Sequence, residues 1–265
     1  MSRTALIAGE GSLAPAIAAA LDRPLVYALD HLHPQVEAKP FRLERLVPFL
    51  DELAEQGVTR AVFAGAIRRP RIEPDLFDPR TMAIVPRILM GMQSGDDAAL
   101  RAVLDVFEEA GIAIASVDQI LPGLVPGAGV LAGEPTPRDQ KDAARAAEIV
   151  QGLGPLDIGQ GAVVAQGLCL AVEALPGTQA MLDFVRLHAG LKPDPKGPRG
   201  VLYKAPKPGQ DRRIDLPTIG PDTVRQAAEA GLGGIAWQAG SVILLDREDA
   251  IARAEQAGLF LWSRP

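Results

Sequence analysis

Thr4-Ala5-Leu6-Ile7-Ala8-Gly9-Glu10-Gly11-Ser12-Leu13-Ala14 opens the chain with a short apolar run, a glycine-bounded turn and the start of a helical pattern. Strand, turn and helix in that order form the first half of a βα unit. The helical pattern runs over 12–21, and a second strand is expected at 25–29. Residues 43–56 carry Leu46, Phe49, Leu50 and Leu53 at helical spacing and stop at Gly57, after which 59–64 reads as a third strand ending at Gly65. Helices follow at 81–92 and 96–110, the second closed by Gly111 and succeeded by a strand at 112–116. Four strands alternating with helices imply a parallel sheet.

The second half reads differently. Glycines and prolines cluster at 122–137 with little periodicity, which predicts a linker between a domain at 1–121 and another at 138–265. A helix is expected over 138–152, then strands at 162–165 and 168–174 around Gln166-Gly167, a hairpin signal. A helix at 178–189, a strand at 200–205, a polar loop at 206–221 and a helix to Ala230 come next. Strands at 234–238 and 241–245, divided by Ala239-Gly240, read as a second hairpin, before a helix at 247–257 and a last strand at 259–262. The C-terminal half is therefore expected to be mixed α/β.

With 48% apolar and 23% charged residues, the 265-residue chain has the composition of a folded globular protein and not of a disordered one. Lys plus Arg is 27 against 33 for Asp plus Glu, so a duplex-binding partner held by counterion release is not expected, nor is any nucleic acid. The lone Cys169 excludes an internal disulfide or a Cys-rich zinc site and suits a reducing cytoplasm. The N-terminal apolar run is too short for a signal peptide, and Gln160, Gln166 and Glu173 interrupt the richest apolar segment, so no bilayer-spanning helix is expected.

Several stretches carry possible chemistry. Gly9-Glu10-Gly11-Ser12-Leu13-Ala14 fits G-x-G-x-x-A between strand and helix, where amide groups attract phosphate, and Asp30 sits where a ribose hydroxyl would be read. Glu10 brings negative charge toward a bound pyrophosphate, so a nucleoside contact by Gly11 or Ser12, a nicotinamide cofactor and a plain tight turn all stay open. Gly65, with Arg68-Arg69-Pro70 behind it, lies at the carboxyl end of a parallel strand, where such sheets place ligands, although the arginines also suit a solvated loop. Gly95-Asp96-Asp97 reads as a helix cap or a ligand contact.

The segment from Tyr203 to Gly220 concentrates four cations, Lys204, Lys207, Arg212 and Arg213, with Asp211 and Asp215 in a loop stiffened by Pro206, Pro208 and Pro217. Carboxylates suit Mg²⁺ or Mn²⁺, and lysine and arginine suit phosphate oxygens. In an extended chain Asp211, Arg213 and Asp215 share one face, so both carboxylates would approach one ion. A plain ion-pair network pinning the loop is the alternative. Gln160 and Gln179 offer hydrogen bonds to a sugar or base, whereas Thr178 suits a cap of the next helix. Glu173 lies in an apolar strand-like run, either on the solvent face or as a buried charge with a cationic partner, and the second case would mark the site. His31, His33 and His188 have no metal spacing, Cys169 reads as an inert buried thiol, and Trp237 and Trp262 read as core.

Taken together, L-I-A-G-x-G-x-L at 6–13, A-G at 64–65, R-P at 69–70, G-D-D-x-x-L-R at 95–101, D-I-G-Q-G-A-V-V at 157–164, L-A-V-E-A at 170–174, G-T-x-A-M-L at 177–182, K-A-P-K-P at 204–208 and D-L-P-T-I-G-P at 215–221 are similar to one family. The chain resembles the LpxI-type UDP-2,3-diacylglucosamine pyrophosphatases of lipid A biosynthesis over nearly its whole length. The resemblance implies a Rossmann-like N-terminal domain, a distinct C-terminal domain and Mg²⁺-dependent cleavage to UMP and 2,3-diacylglucosamine 1-phosphate. It implies Asp215 as the family aspartate that binds metal and supports activity, with Asp211 a less regular second ligand. Lys204 and Lys207 would then meet phosphate oxygens. Gly11, Ser12, Gly65, Gln160, Thr178 and Gln179 would contact the rest of the nucleotide sugar. A lipid substrate implies transient contact with the inner face of a membrane, and the family implies a homodimer. A nicotinamide-dependent oxidoreductase and a non-catalytic nucleotide-sugar sensor are the rival expectations.

Overall fold

The computed structural model describes residues 3–67, 71–93 and 96–265. The chain divides into two compact units, Met1–Pro122 and Gly123–Pro265. In the first, β1 (Arg3–Ala8), α1 (Leu13–Ala20), β2 (Leu25–Leu29), β3 (Lys39–Phe41), α2 (Leu46–Glu55), β4 (Val58–Ala64), α3 (Pro79–Gln93), α4 (Asp96–Glu109), β5 (Ala113–Ala115) and α5 (Val117–Ile120) follow in order. The five strands form one sheet in the order β3-β2-β1-β4-β5. Every pairing in it is parallel.

The apolar run of β1 is buried along Ala5–Ala8 because a parallel sheet covered by helices hides both strand faces. Helix α2 presents Leu46, Phe49, Leu50 and Leu53 to that core, and Phe49 packs edge-on to Tyr27 at 5.0 Å and stacks on Phe41 at 4.1 Å. Strand β3 was not expected. It contains Pro40, which withholds a backbone donor and reads as a break, yet the strand sits at the sheet edge, where that donor is not needed.

The second unit runs β6 (Gly129–Ala132), α6 (Pro137–Leu153), β7 (Gly161–Ala165), β8 (Leu168–Val172), α7 (Gly177–Leu187), β9 (Val201–Lys204), β10 (Thr218–Ile219), α8 (Pro221–Glu229), β11 (Gly234–Gln238), β12 (Ile243–Leu244), α9 (Arg247–Ala257) and β13 (Phe260–Arg264). Its six-stranded sheet has the order β6-β13-β11-β9-β7-β8. The central three strands are parallel, and β6, β7 and β8 pair antiparallel outside them. Strand alternation divides the core. Ala162, Val164, Val201, Tyr203 and Ala236 pack toward Ala143, Ala146 and Val150 of α6. Val163, Leu202, Ile235 and Trp237 pack toward α7, α8 and α9.

The expected β7–β8 hairpin is present: Gln166 (φ 57°) and Gly167 (φ 79°) both take positive φ, the requirement of a tight two-residue turn. Both turn amides donate to the Asp142 carboxylate of α6, at 2.9 and 2.7 Å. The second expected hairpin is corrected. Gly240 (φ 64°) has positive φ but Ala239 does not, and their amides go to Arg264 and Pro126. Strand β11 therefore pairs in parallel with β9 and β13, while β12 leaves to form a small parallel pair with β10. The stretch expected as a linker at 122–137 is also corrected, since it holds β6, which pairs with β13 between flanking glycines that mask it. Among the described residues no helix is long and apolar enough to cross a membrane.

Trp237 is fully buried at the centre of the second unit. Trp237→Ala is expected to lower the stability of that unit by about 3–5 kcal/mol, measured by urea denaturation, and a loss well under about 1 kcal/mol would contradict this core.

Candidate functional site

In the first unit the turns that follow β1 and β4 are fastened to each other. Gly9 N–H donates to Ala64 O at 2.8 Å, and Glu10 and Ala66 exchange backbone bonds at 2.8 and 2.9 Å. A Cβ at Gly9 would lie 2.5 Å from the Gly65 carbonyl carbon, so both glycines are needed for the approach. These turns flank the point where strand order reverses, which is where a doubly wound sheet opens a ligand crevice. Here Glu10 and Ala66 bridge the two turns. Gly11 (φ 93°) and Ser12 remain exposed beyond the bridge, and Ser12 makes no side-chain cap to α1. Asp30, the expected ribose contact, pairs instead with Arg42 at 2.8 Å and His31 at 3.7 Å. Arg68, Arg69, Pro70 and Gly95 lie outside the described residues, as do the side chains of Asp96 and Asp97.

The second unit gathers most of the remaining candidates at the carboxyl end of β9. Leu202 faces α7, so by the period of two Lys204 faces the same way, and the lysine is only 4% exposed. A buried ammonium needs partners. Its Nζ donates to Thr178 Oγ1 at 2.7 Å and lies 3.4 Å from Glu173 Oε2, and Thr178 Oγ1 donates to Glu173 Oε1 at 2.9 Å. Glu173 is thus the buried charge with a cationic partner. Thr178 is not a cap: Pro176 holds that position on α7, and the threonine hydroxyl belongs to the triangle. Gln179 sits beside it on the first turn of α7, exposed.

A second network adjoins the first, because Ala205 N–H donates to Gln160 O at 3.0 Å. Gln160 Nε2 donates to Gln210 Oε1 at 3.0 Å, Lys207 N–H donates to the same oxygen at 2.8 Å, and Gln210 Nε2 donates to Asp215 Oδ2. Lys207 Nζ pairs with Asp157 Oδ1. Gln210, buried and central to this network, was not among the sequence candidates. Its position between Gly209 and Asp211 looks like ordinary loop polarity, and only the fold turns it inward. The proline-braced loop rests on its own unit, with Pro208 occupying the space that a Gly154 side chain would take.

The expected geometry of the two aspartates is corrected. Residues 211–215 form a turn closed by Ile214 N–H and Asp215 N–H on Asp211 O, not an extended strand. Arg213 grips Asp211 bidentately, at 3.0 Å from Nε to Oδ1 and 2.7 Å from Nη2 to Oδ2. Among the described residues no group of three or more His, Cys, Asp or Glu is placed to hold a metal. Asp215 accepts from the Gln210 amide, whereas Asp211 faces the Arg213 guanidinium. One carboxylate beside lysines fits Mg²⁺, which commonly keeps several waters and binds through one or two carboxylates plus substrate phosphates. It does not fit a protein-only cage.

Other candidates are placed outside this chemistry. Cys169 lies on the exposed edge strand β8 and not in a buried one, and local desolvation pushes its thiol pKa up, away from a reactive thiolate. Trp237 and Trp262 pack in the core.

Residues 3–124 match the family described as the LpxI N-terminal domain, and residues 127–262 match the LpxI C-terminal domain. The chain is 42% identical over 211 residues to the UDP-2,3-diacylglucosamine pyrophosphatase LpxI of Caulobacter vibrioides, covering 79% of this chain and 75% of that protein.

The site depends on Gly159, which has φ 53° and whose Cβ would lie 1.9 Å from Glu173 O. Gly159→Ala is expected to cost more than about 1 kcal/mol in urea denaturation, and an unchanged midpoint would contradict the close approach of these two segments.

Proposed function

The chain belongs to the LpxI family, and from that membership we propose that it hydrolyses the pyrophosphate of UDP-2,3-diacylglucosamine, releasing UMP and 2,3-diacylglucosamine 1-phosphate. The observation that carries the reading is Lys204, a buried ammonium at the carboxyl end of a parallel strand with lysine, glutamine and aspartate networks beside it. Such a cation, desolvated and held before substrate arrives, suits the charge that develops on phosphoryl oxygens, usually the main contribution to this chemistry.

In this reading Lys204, its ammonium held by Thr178, binds an oxygen of the diphosphate, and Lys207 meets the same charge from the loop. Asp215 orients the water that attacks the β-phosphorus as UMP leaves. Gln160 fixes the loop through Gln210 and, with Gln179, borders the sugar. Mg²⁺, or Mn²⁺ with the same preference for oxygen, would be held by Asp215 and would supply further neutralisation of phosphate charge. Asp211, turned onto Arg213, is assigned a lesser part. The acyl chains call for brief contact with the inner face of a membrane, from a cytoplasmic enzyme that works as a homodimer. The nicotinamide alternative is disfavoured by the Glu10–Ala66 bridge and by the engagement of Asp30 with Arg42.

With Mg²⁺ present, purified protein is expected to release UMP from the lipid substrate, and Asp215→Ala to reduce that rate by at least about 100-fold while substrate still binds. Full turnover by the variant would remove Asp215 from the chemistry. Absence of UMP release by the unaltered protein would overturn the hydrolase reading.

A further inference from the structure

We propose that Glu173 is a positioning residue that, together with the Thr178 hydroxyl, aims the Lys204 ammonium at the diphosphate. The inference rests on the pyrophosphatase reading and adds to it a residue whose effect passes entirely through Lys204.

Glu173 sits just past the end of β8 and is 9% exposed. Two bare backbone positions make room for it. Gly161 pairs in register with Lys204 on the neighbouring strand, and a Cβ there would lie 2.6 Å from Glu173 Oε2. The Glu173 N–H donates to Gly161 O at 2.8 Å, which fixes the carboxylate over that gap, and Gly159 lies against the Glu173 carbonyl. The carboxylate thereby reaches the one cation that strand alternation buries on this face. A Cβ at position 161 would require Glu173 Oε2 to shift.

The triangle has a direction. A lysine ammonium carries three donors. One is spent on Thr178 Oγ1 at 2.7 Å, and a second faces the Glu173 carboxylate, with Oε2 at 3.4 Å and Oε1 at 3.5 Å. The third is left for a phosphoryl oxygen. Thr178 accepts from lysine and donates to Glu173 Oε1, so its single proton is committed and the hydroxyl holds one orientation. Glu173 Oε2 is buried and accepts no hydrogen bond, so its 3.4 Å approach to the ammonium is what compensates its charge. Without that carboxylate the four-carbon lysine stem has no electrostatic anchor.

The test is a double-substitution cycle of Glu173→Gln and Lys204→Met, read on two properties: UMP release from the lipid substrate, with kcat and KM separated, and calorimetric affinity for inorganic pyrophosphate with Mg²⁺. Glu173→Gln keeps the size of the side chain and an acceptor for Thr178 but removes the charge. It is expected to lower kcat about 10- to 100-fold with little change in KM, to weaken pyrophosphate binding, and to do neither when Lys204→Met is already present. Glu173→Asp is expected to recover only part of the loss, since the shorter chain does not span the gap over Gly161. Equal proportional losses with and without Lys204, or no loss at all, would overturn the proposal. If the unaltered protein releases no UMP, the hydrolase reading falls, and the pyrophosphate cycle still decides the role of Glu173. Should Glu173→Gln fail to fold, Thr178→Val opens the same triangle and is expected to show the same dependence on Lys204, with additive losses again contradicting it.

Discussion

A lysine at the end of a strand buried on both faces has to be matched by charge and hydrogen bonds, or its desolvation would count against the fold. In this protein Lys204 occupies that position, and much of the local architecture follows from it. Its register neighbour on β7 is glycine, which admits a carboxylate from the next hairpin strand; its neighbour on β11 is Trp237, which closes the opposite side. Thr178, on the first turn of α7, completes the pairing. In the proposed reading the same side chains that satisfy a structural necessity would also receive the diphosphate, so that stability and chemistry would be served by one arrangement.

The loop after β9 extends this arrangement without being part of the sheet. Three prolines limit the conformations it can adopt, Pro208 packs against Gly154, and the buried Gln210 ties it to Gln160 and to Asp215. A side-chain amide suits that role because it donates and accepts at once, joining two polar groups without adding a charge. Asp215 is one of the groups this amide holds. Asp211, four residues earlier, faces a bidentate arginine and serves to close the turn.

Much of the first unit was legible because long apolar runs, glycine stops and helical spacing agreed with one another; β1, β2, β4 and the helices between them lie within a few residues of where periodicity places them. Strand β3 was hidden by Pro40, and β6 by glycines on both sides, since local propensity cannot register a strand held by its partner. The second hairpin failed for a related reason: a glycine between two apolar runs signals a turn but not what pairs across it. In the site, Lys204, Lys207 and Asp215 stood out by composition, and Thr178 and Gln160 by proximity to glycine turns. The inward orientation of Gln210 and the curl of 211–215 depend on tertiary contacts that residue spacing does not encode.

The N-terminal unit shows how a familiar motif can be spent on structure. Its glycines let the turns after β1 and β4 touch, and the Glu10–Ala66 bridge joins them. In the proposed reading the phosphate chemistry lies in the second unit, at Lys204. The most direct measurement is a crystal structure with inorganic pyrophosphate and Mg²⁺ bound. The account predicts a phosphoryl oxygen about 2.7–2.9 Å from Lys204 Nζ, with Glu173 and Thr178 still holding the ammonium. Pyrophosphate bound elsewhere, with Lys204 unchanged and out of reach, would contradict it.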